Sequence, residues 1–147
     1  MRNTIIITAI IILSITIYAF KNPKVDFNED TTDGIQFFKG TFREALEKAQ
    51  TENKPIFLDI YATWCGPCKM LKRKTFSDKE VGDYYNANFI NFAVDGETTE
   101  GNELAHMYKI QGYPTLLILD KNGKQLTKQV GFVEPHILVN FGKRIVP

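Results

Sequence analysis

Cys65 and Cys68 are the only cysteines in the chain, and two residues separate them. Thiols at that spacing can close a disulfide and reopen it by thiol–disulfide exchange, so the pair reads as a redox centre. The apolar run Pro55-Ile56-Phe57-Leu58-Asp59-Ile60 leads into it, and a helical pattern follows. A thiol at a helix start is favoured as thiolate by the free backbone N–H groups and the helix dipole. Cys65, the first of the pair, is therefore expected to be the exposed attacking thiol, and Cys68, one turn in, the buried resolving thiol. Two other readings are a structural disulfide and half of a zinc site. A bridge closing so short a loop constrains the unfolded chain little. Zinc needs four ligands, and only His106 and His136 remain, neither in a ligand spacing. No metal and no organic cofactor is expected.

Asp59 adds an acid–base group. It stands six residues before Cys65 inside an apolar run, where an ionised carboxylate is costly, so it must be paired or hold its proton to higher pH. Such a carboxyl can take the proton from Cys68 when that thiol attacks.

The elements that must position these groups follow from hydrophobic periodicity. Ile35-Gln36-Phe37-Phe38 is a candidate strand. Thr41 and Glu44 have capping-box spacing at the start of a helix whose inward positions are Phe42, Ala45, Leu46 and Ala49. Pro55 to Ala62 reads as a strand covered on both faces. Beyond the cysteines, Met70 and Leu71 continue a helix. Ser77 and Glu80 repeat the capping spacing before Val81, Tyr84 and Tyr85. Asn88 to Asp95 is a second buried strand, and Leu104, Met107 and Tyr108 mark another helix. Thr115 to Leu119, a turn at Asp120–Lys124 and Gln125 to Val130 form a hairpin. Pro135 opens a last helix with Ile137, Leu138, Phe141 and Ile145 inward. Strand–helix alternation followed by a hairpin predicts an α/β domain, a central mixed sheet with helices on both faces.

The ends and the charge set the context. The run from Thr4 to Phe20 has no charged residue and is rich in isoleucine, which makes residues 1–20 a signal peptide or an N-terminal membrane anchor. Residues 21–34 are polar and acidic and read as a linker, leaving 35–147 as the folded domain. If the first segment is uncleaved, it ties the protein to a membrane with the domain outside the cytoplasm, in the periplasm of a bacterium. The 18 basic residues nearly balance the 17 acidic ones, so nucleic acid is not expected as a partner.

Trp64-Cys65-Gly66-Pro67-Cys68-Lys69 resembles the active site of the thioredoxin-like family. The resemblance runs from about Ile35 to Val146 through Asp59, Gly112-Tyr113-Pro114-Thr115 and Gly131. Thr75-Phe76-Ser77-Asp78 resembles exported domains related to the C-terminal domain of transmembrane thiol:disulfide interchange proteins. The family implies a thioredoxin-like fold, a cis-proline at Pro114 facing the cysteines, and Asp59 as the buried aspartate. It also implies a client-binding surface made of Trp64, Gly66, Pro67, Tyr113, Pro114 and Gly131. Two departures stand out: Tyr113 replaces a commoner small aliphatic residue, and Asn91 stands where thioredoxins often carry a lysine near the carboxylate. By the same resemblance, Gly66-Pro67 between the cysteines belongs to reductants, whereas oxidases and isomerases usually carry a histidine there.

These readings combine into an expectation: a thiol-disulfide oxidoreductase that reduces disulfides in client proteins outside the cytoplasm by cycling Cys65 and Cys68. It would be re-reduced by a transmembrane thiol-transfer partner. The alternatives are a disulfide oxidase or isomerase, and a non-catalytic adaptor built on the same fold.

Overall fold

The computed structural model describes residues 33–147. The apolar segment at 1–20 and the linker as far as residue 32 lie outside the described residues. In chain order the elements are α1 (Phe42–Glu52), β1 (Ile56–Tyr61), α2 (Gly66–Met70) continued by a π-helical segment (Leu71–Phe76), α3 (Lys79–Asn88), β2 (Ile90–Asp95), α4 (Thr99–Met107), β3 (Thr115–Leu119), β4 (Gln125–Val130) and α5 (Pro135–Lys143).

The four strands form one sheet in the order β2-β1-β3-β4. β1 runs parallel to β2 and antiparallel to β3, which is antiparallel to β4. Every residue of β1 is buried, as a central strand sandwiched between helices requires. Side chains alternate along it. Phe57 and Tyr61 face a core shared with Cys68, Leu71, Val81, Tyr85 and Leu138, hence with α2, α3 and α5. Ile56, Leu58 and Ile60 face Phe42, Ala45, Ala49, Leu104 and Tyr108, hence α1 and α4. The mixed sheet with helices on both faces is the layout expected from the sequence.

The capping box at Thr41 forms as predicted: the Thr41 hydroxyl accepts from the Glu44 N–H, and the Glu44 carboxylate accepts from the Thr41 N–H. Several other expectations are corrected. Ile35–Phe38 is not a strand of the sheet. It is an extended segment laid beside the outer edge of β2, with the Phe38 N–H donating to the Asn91 carbonyl at 2.7 Å and the Ile35 N–H to the Phe76 carbonyl at 2.8 Å. The cap of α3 is Asp78, whose carboxylate accepts from the Val81 N–H at 3.1 Å. Ser77 still has helical backbone, at φ −82 and ψ −7, where Asp78 is extended as a cap requires, and the Ser77 hydroxyl donates back to the Arg73 carbonyl at 2.7 Å. Ile137, expected to face inward, is exposed, and so is Met107 of the α4 pattern. Tyr108 supplies the inward face at the end of α4, and Leu138 and Val139 supply it on α5.

Candidate active site

Strand register brings the predicted site residues to one end of the sheet. Ile60 pairs with Thr115, so the C-terminal end of β1, which leads to Trp64 and Cys65, lies beside Tyr113 and Pro114 at the start of β3. Thr115 in turn pairs with Val130, which places Gly131 at the same end, and the Gly131 N–H donates to the Pro114 carbonyl at 2.8 Å. β2 also ends there, with Asp95 opposite Tyr61. The carboxyl ends of parallel strands are where open α/β sheets place their sites.

Cys65 and Cys68 are joined by a disulfide, with Cα atoms 5.3 Å apart. Cys65 is the N-cap of α2: its backbone is extended, and its sulfur accepts from the Cys68 N–H at 3.1 Å. Gly66 and Pro67 occupy the first helical turn, where proline's missing N–H and fixed φ cost nothing. Cys68 is fully buried, as expected of a resolving thiol, but Cys65 is only 3% exposed rather than open. In the oxidised form its sulfur is turned toward Cys68 and the helix start, which explains the difference. Gly66, Pro67 and Trp64 form the exposed rim beside it. Trp64 is 68% exposed, which excludes a core role.

Asp59 is completely buried, and neither carboxylate oxygen has a hydrogen-bond partner. It follows the alternation of Phe57 and Tyr61, so it lies on the Cys68 face of the sheet. Its neighbours in register are Ala93 on β2 and Leu116 on β3, which offer it no polar group. Desolvation alone pushes its pKa up to about 8. Asn91, the residue in the lysine position, is on the same face but opposite Phe57. Its amide nitrogen donates to the Gln36 carbonyl at 3.3 Å and to Asn86 Oδ1 at 3.1 Å.

The Tyr113–Pro114 peptide bond is cis. Pro114 is buried and Tyr113 half-buried. The Tyr113 ring meets the Trp64 indole edge-on, with centroids 6.1 Å apart and planes at 74°, and its hydroxyl donates to Glu97 Oε1 at 3.4 Å. Gly131 sits at φ +88, in the left-handed region glycine tolerates, with open space where a side chain would project. That openness suits close approach of another chain, and the backbone gives glycine a second reason to be there. Thr75, quoted above only as part of a family segment, has a positional role. Its buried hydroxyl donates to the Val133 carbonyl at 2.6 Å and fastens the π-helical segment to the chain just after Gly131. Gly96 and Glu97 were not singled out from the sequence. A glycine and an exposed acid after a strand carry no redox signature, and only the register shows them beside Tyr113.

A model of the thioredoxin-like domain matches residues 42–145. The chain belongs to the thioredoxin-like family. Among curated relatives, the thiol:disulfide interchange protein DsbD of Actinobacillus pleuropneumoniae is 33% identical over 95 residues, 62% of this chain and 16% of the relative. The DsbD of Campylobacter jejuni is 34% identical over 107 residues, 72% of this chain and 18% of the relative. The chain thus spans less than a fifth of the length of these relatives. Among solved structures, a candidate disulphide-isomerase from Bacteroides thetaiotaomicron is 40% identical with a TM-score of 0.68, covering 78% of this chain and 94% of that one. The oxidised C-terminal domain of Neisseria meningitidis DsbD is 27% identical with a TM-score of 0.60, covering 69% and 90%. With the paired cysteines, these similarities support thiol–disulfide exchange as the chemistry of this site.

Proposed function

We propose that the protein reduces disulfides in client proteins outside the cytoplasm. The observation that carries the direction is Gly66-Pro67 between the cysteines, with no imidazole in that loop to stabilise the Cys65 thiolate and raise the potential. In the cycle, the Cys65 thiolate attacks one sulfur of a client disulfide and expels the other as a thiolate, leaving a mixed disulfide. Asp59 takes the proton of Cys68. The Cys68 thiolate then attacks the Cys65 sulfur and releases the second client thiolate. Two electrons have passed to the client, and the Cys65–Cys68 disulfide remains. Trp64, Gly66, Pro67, Tyr113, Pro114 and Gly131 form the surface that meets the client, with the backbone at Tyr113 available for strand addition. The apolar run from Thr4 to Phe20 supports the extracytoplasmic setting, and an exported reductant must be re-reduced by electrons carried through the membrane, which calls for a transmembrane thiol-transfer protein as donor.

Cys68→Ala, which leaves the mixed disulfide unresolved, should trap clients on Cys65 when the full chain is expressed. Equilibration of the wild type with glutathione should give a potential more reducing than glutathione. A potential well above it would overturn the reductant reading. The similarity to a candidate disulphide-isomerase favours a second reading, isomerisation, which predicts reactivation of a scrambled disulfide protein without net electron transfer. Full biological function in Cys65→Ser would instead show an adaptor.

A further inference from the structure

We infer that Gly96 and Glu97 are positioning residues that hold Tyr113 as a brace for Trp64, and so fix one wall of the client surface. The inference rests on the client-reducing reading above, and it adds residues that no redox motif contains. Gly96 follows β2, and its N–H donates to the Tyr61 carbonyl at 2.8 Å. Its φ lies outside the left-handed region, so the backbone there does not require glycine. Space does: a Cβ at residue 96 would stand 2.5 Å from the Tyr113 hydroxyl oxygen and 2.7–2.8 Å from carbons of its ring. The Tyr113 ring therefore lies directly against the Gly96 backbone. Glu97 takes the far end of the ring through the hydroxyl contact at 3.4 Å, a long bond that steers rather than clamps. The same ring meets the Trp64 indole at a steep angle, with centroids 6.1 Å apart.

An indole that is 68% exposed would otherwise sample several rotamers beside Cys65. The edge-on contact selects one of them, and in doing so removes ordering cost from client binding. A small aliphatic residue in place of Tyr113 would not span from Gly96 to Trp64. The departure from the family pattern at residue 113 and the glycine at 96 are thus two halves of one device.

Trp64 is the only tryptophan in the chain, so intrinsic fluorescence reports on this one indole. The test compares wild type, Gly96→Ala, Glu97→Ala and Glu97→Gln as oxidised full-length proteins, by acrylamide quenching and anisotropy decay. KM and kcat are then measured with insulin as the protein disulfide and hydroxyethyl disulfide as the small one. Gly96→Ala should displace the ring, increase fast local motion of Trp64 and raise KM for insulin about two- to tenfold, the range an aromatic pair supplies. The rate with hydroxyethyl disulfide and the Cys65–Cys68 potential should stay at wild-type values. Glu97→Ala should give a weaker version of the same change, and Glu97→Gln, which keeps an acceptor, should restore it. Unchanged Trp64 anisotropy in Gly96→Ala would overturn the brace, as would a potential that shifts together with KM. Should Gly96→Ala fail to fold, the Glu97→Ala and Glu97→Gln pair decides on the same readouts. If the wild type reduces neither disulfide, the functional reading fails by itself, and the fluorescence comparison still decides whether Tyr113 braces Trp64.

Discussion

Asp59→Asn should remove a large part of the pH dependence of stability between pH 5 and pH 8. The carboxyl is fully buried, has no hydrogen-bond partner and holds its proton up to about pH 8, against 3.8 when solvated. Between those two values the unfolded chain is ionised at this position while the folded chain is still protonated. Folding therefore takes up a proton, and stability is greatest at low pH and falls as pH rises, levelling off once the folded form also ionises near 8. One pH unit inside that window is worth about 1.4 kcal/mol per proton. From pH 5 to pH 8 the wild type should lose about 4 kcal/mol relative to the variant. With a urea m-value of about 2 kcal/mol/M, that separates the two midpoints by about 2 M. The asparagine brings its own fixed cost, since two buried N–H donors without partners are worth about 1–3 kcal/mol. That offset does not depend on pH, so the informative quantity is the change in the difference between the two proteins. Urea titrations at pH 5, 6, 7 and 8 on the oxidised proteins, in which neither cysteine titrates, measure it directly. Parallel stability curves for the two proteins across this range would refute the argument that desolvation alone holds the proton on Asp59.

Four further substitutions test the supports around the site. Asp78→Ala should cost about 1 kcal/mol by uncapping α3, whereas Ser77→Ala should cost clearly less if the cap lies where the structure puts it; urea midpoints compare them. Thr75→Val keeps shape but leaves the Val133 carbonyl without its buried donor. It should cost about 1–3 kcal/mol, with amide hydrogen exchange rising first in Leu71–Phe76 and around Val133. Gly131→Ala meets open space yet must hold φ +88, so it should lose about 1–3 kcal/mol in thermal denaturation with no change in the near-ultraviolet signature of the core.

The parts of the fold that were legible in the sequence are those in which local pattern and tertiary burial agree. β1 is apolar at nearly every position because it is covered on both sides, and the hairpin announces itself through Asp120–Lys124. Thr41 and Glu44 cap α1 with a spacing that involves no distant residue. The misses have distant causes. Ile35–Phe38 has the composition of a strand, but Asn86 accepts from the Gln36 N–H and donates to the Gly34 carbonyl, anchoring the segment to α3 instead. Ser77 and Asp78 are equally good caps by type, and the π-helical path of the preceding turn decides between them by engaging Ser77. Met107 and Ile137 fit a helical stripe but fall just beyond the edge of the core, where one position of rotation separates inside from outside. At the site, Cys65, Cys68 and Asp59 are legible because their chemistry is unusual for their surroundings. Gly96 is not, because its meaning lies in a ring seventeen residues away.

Asn91 connects the site to the way the domain begins. In the family pattern its position often carries a lysine near the buried carboxyl. Here it has become structural: its amide binds Gln36 and Asn86 and so fastens the segment before α1 to the edge of β2. A residue committed to that network offers Asp59 neither charge nor a hydrogen bond, and Ala93 and Leu116 offer it nothing polar. Asp59 is thereby left with a raised affinity for a proton and no internal partner to satisfy it in the oxidised protein. In the proposed cycle, reduction frees the Cys68 thiol on the same face of the sheet. If Asp59 is the base of the proposed resolving step, the departure at Asn91 ties that step to Asp59's own ionisation. The rate of that step should rise about tenfold per pH unit below about 8 and level off above it. Rapid-mixing measurements of mixed-disulfide decay against pH should show this limb, and Asp59→Asn should remove it.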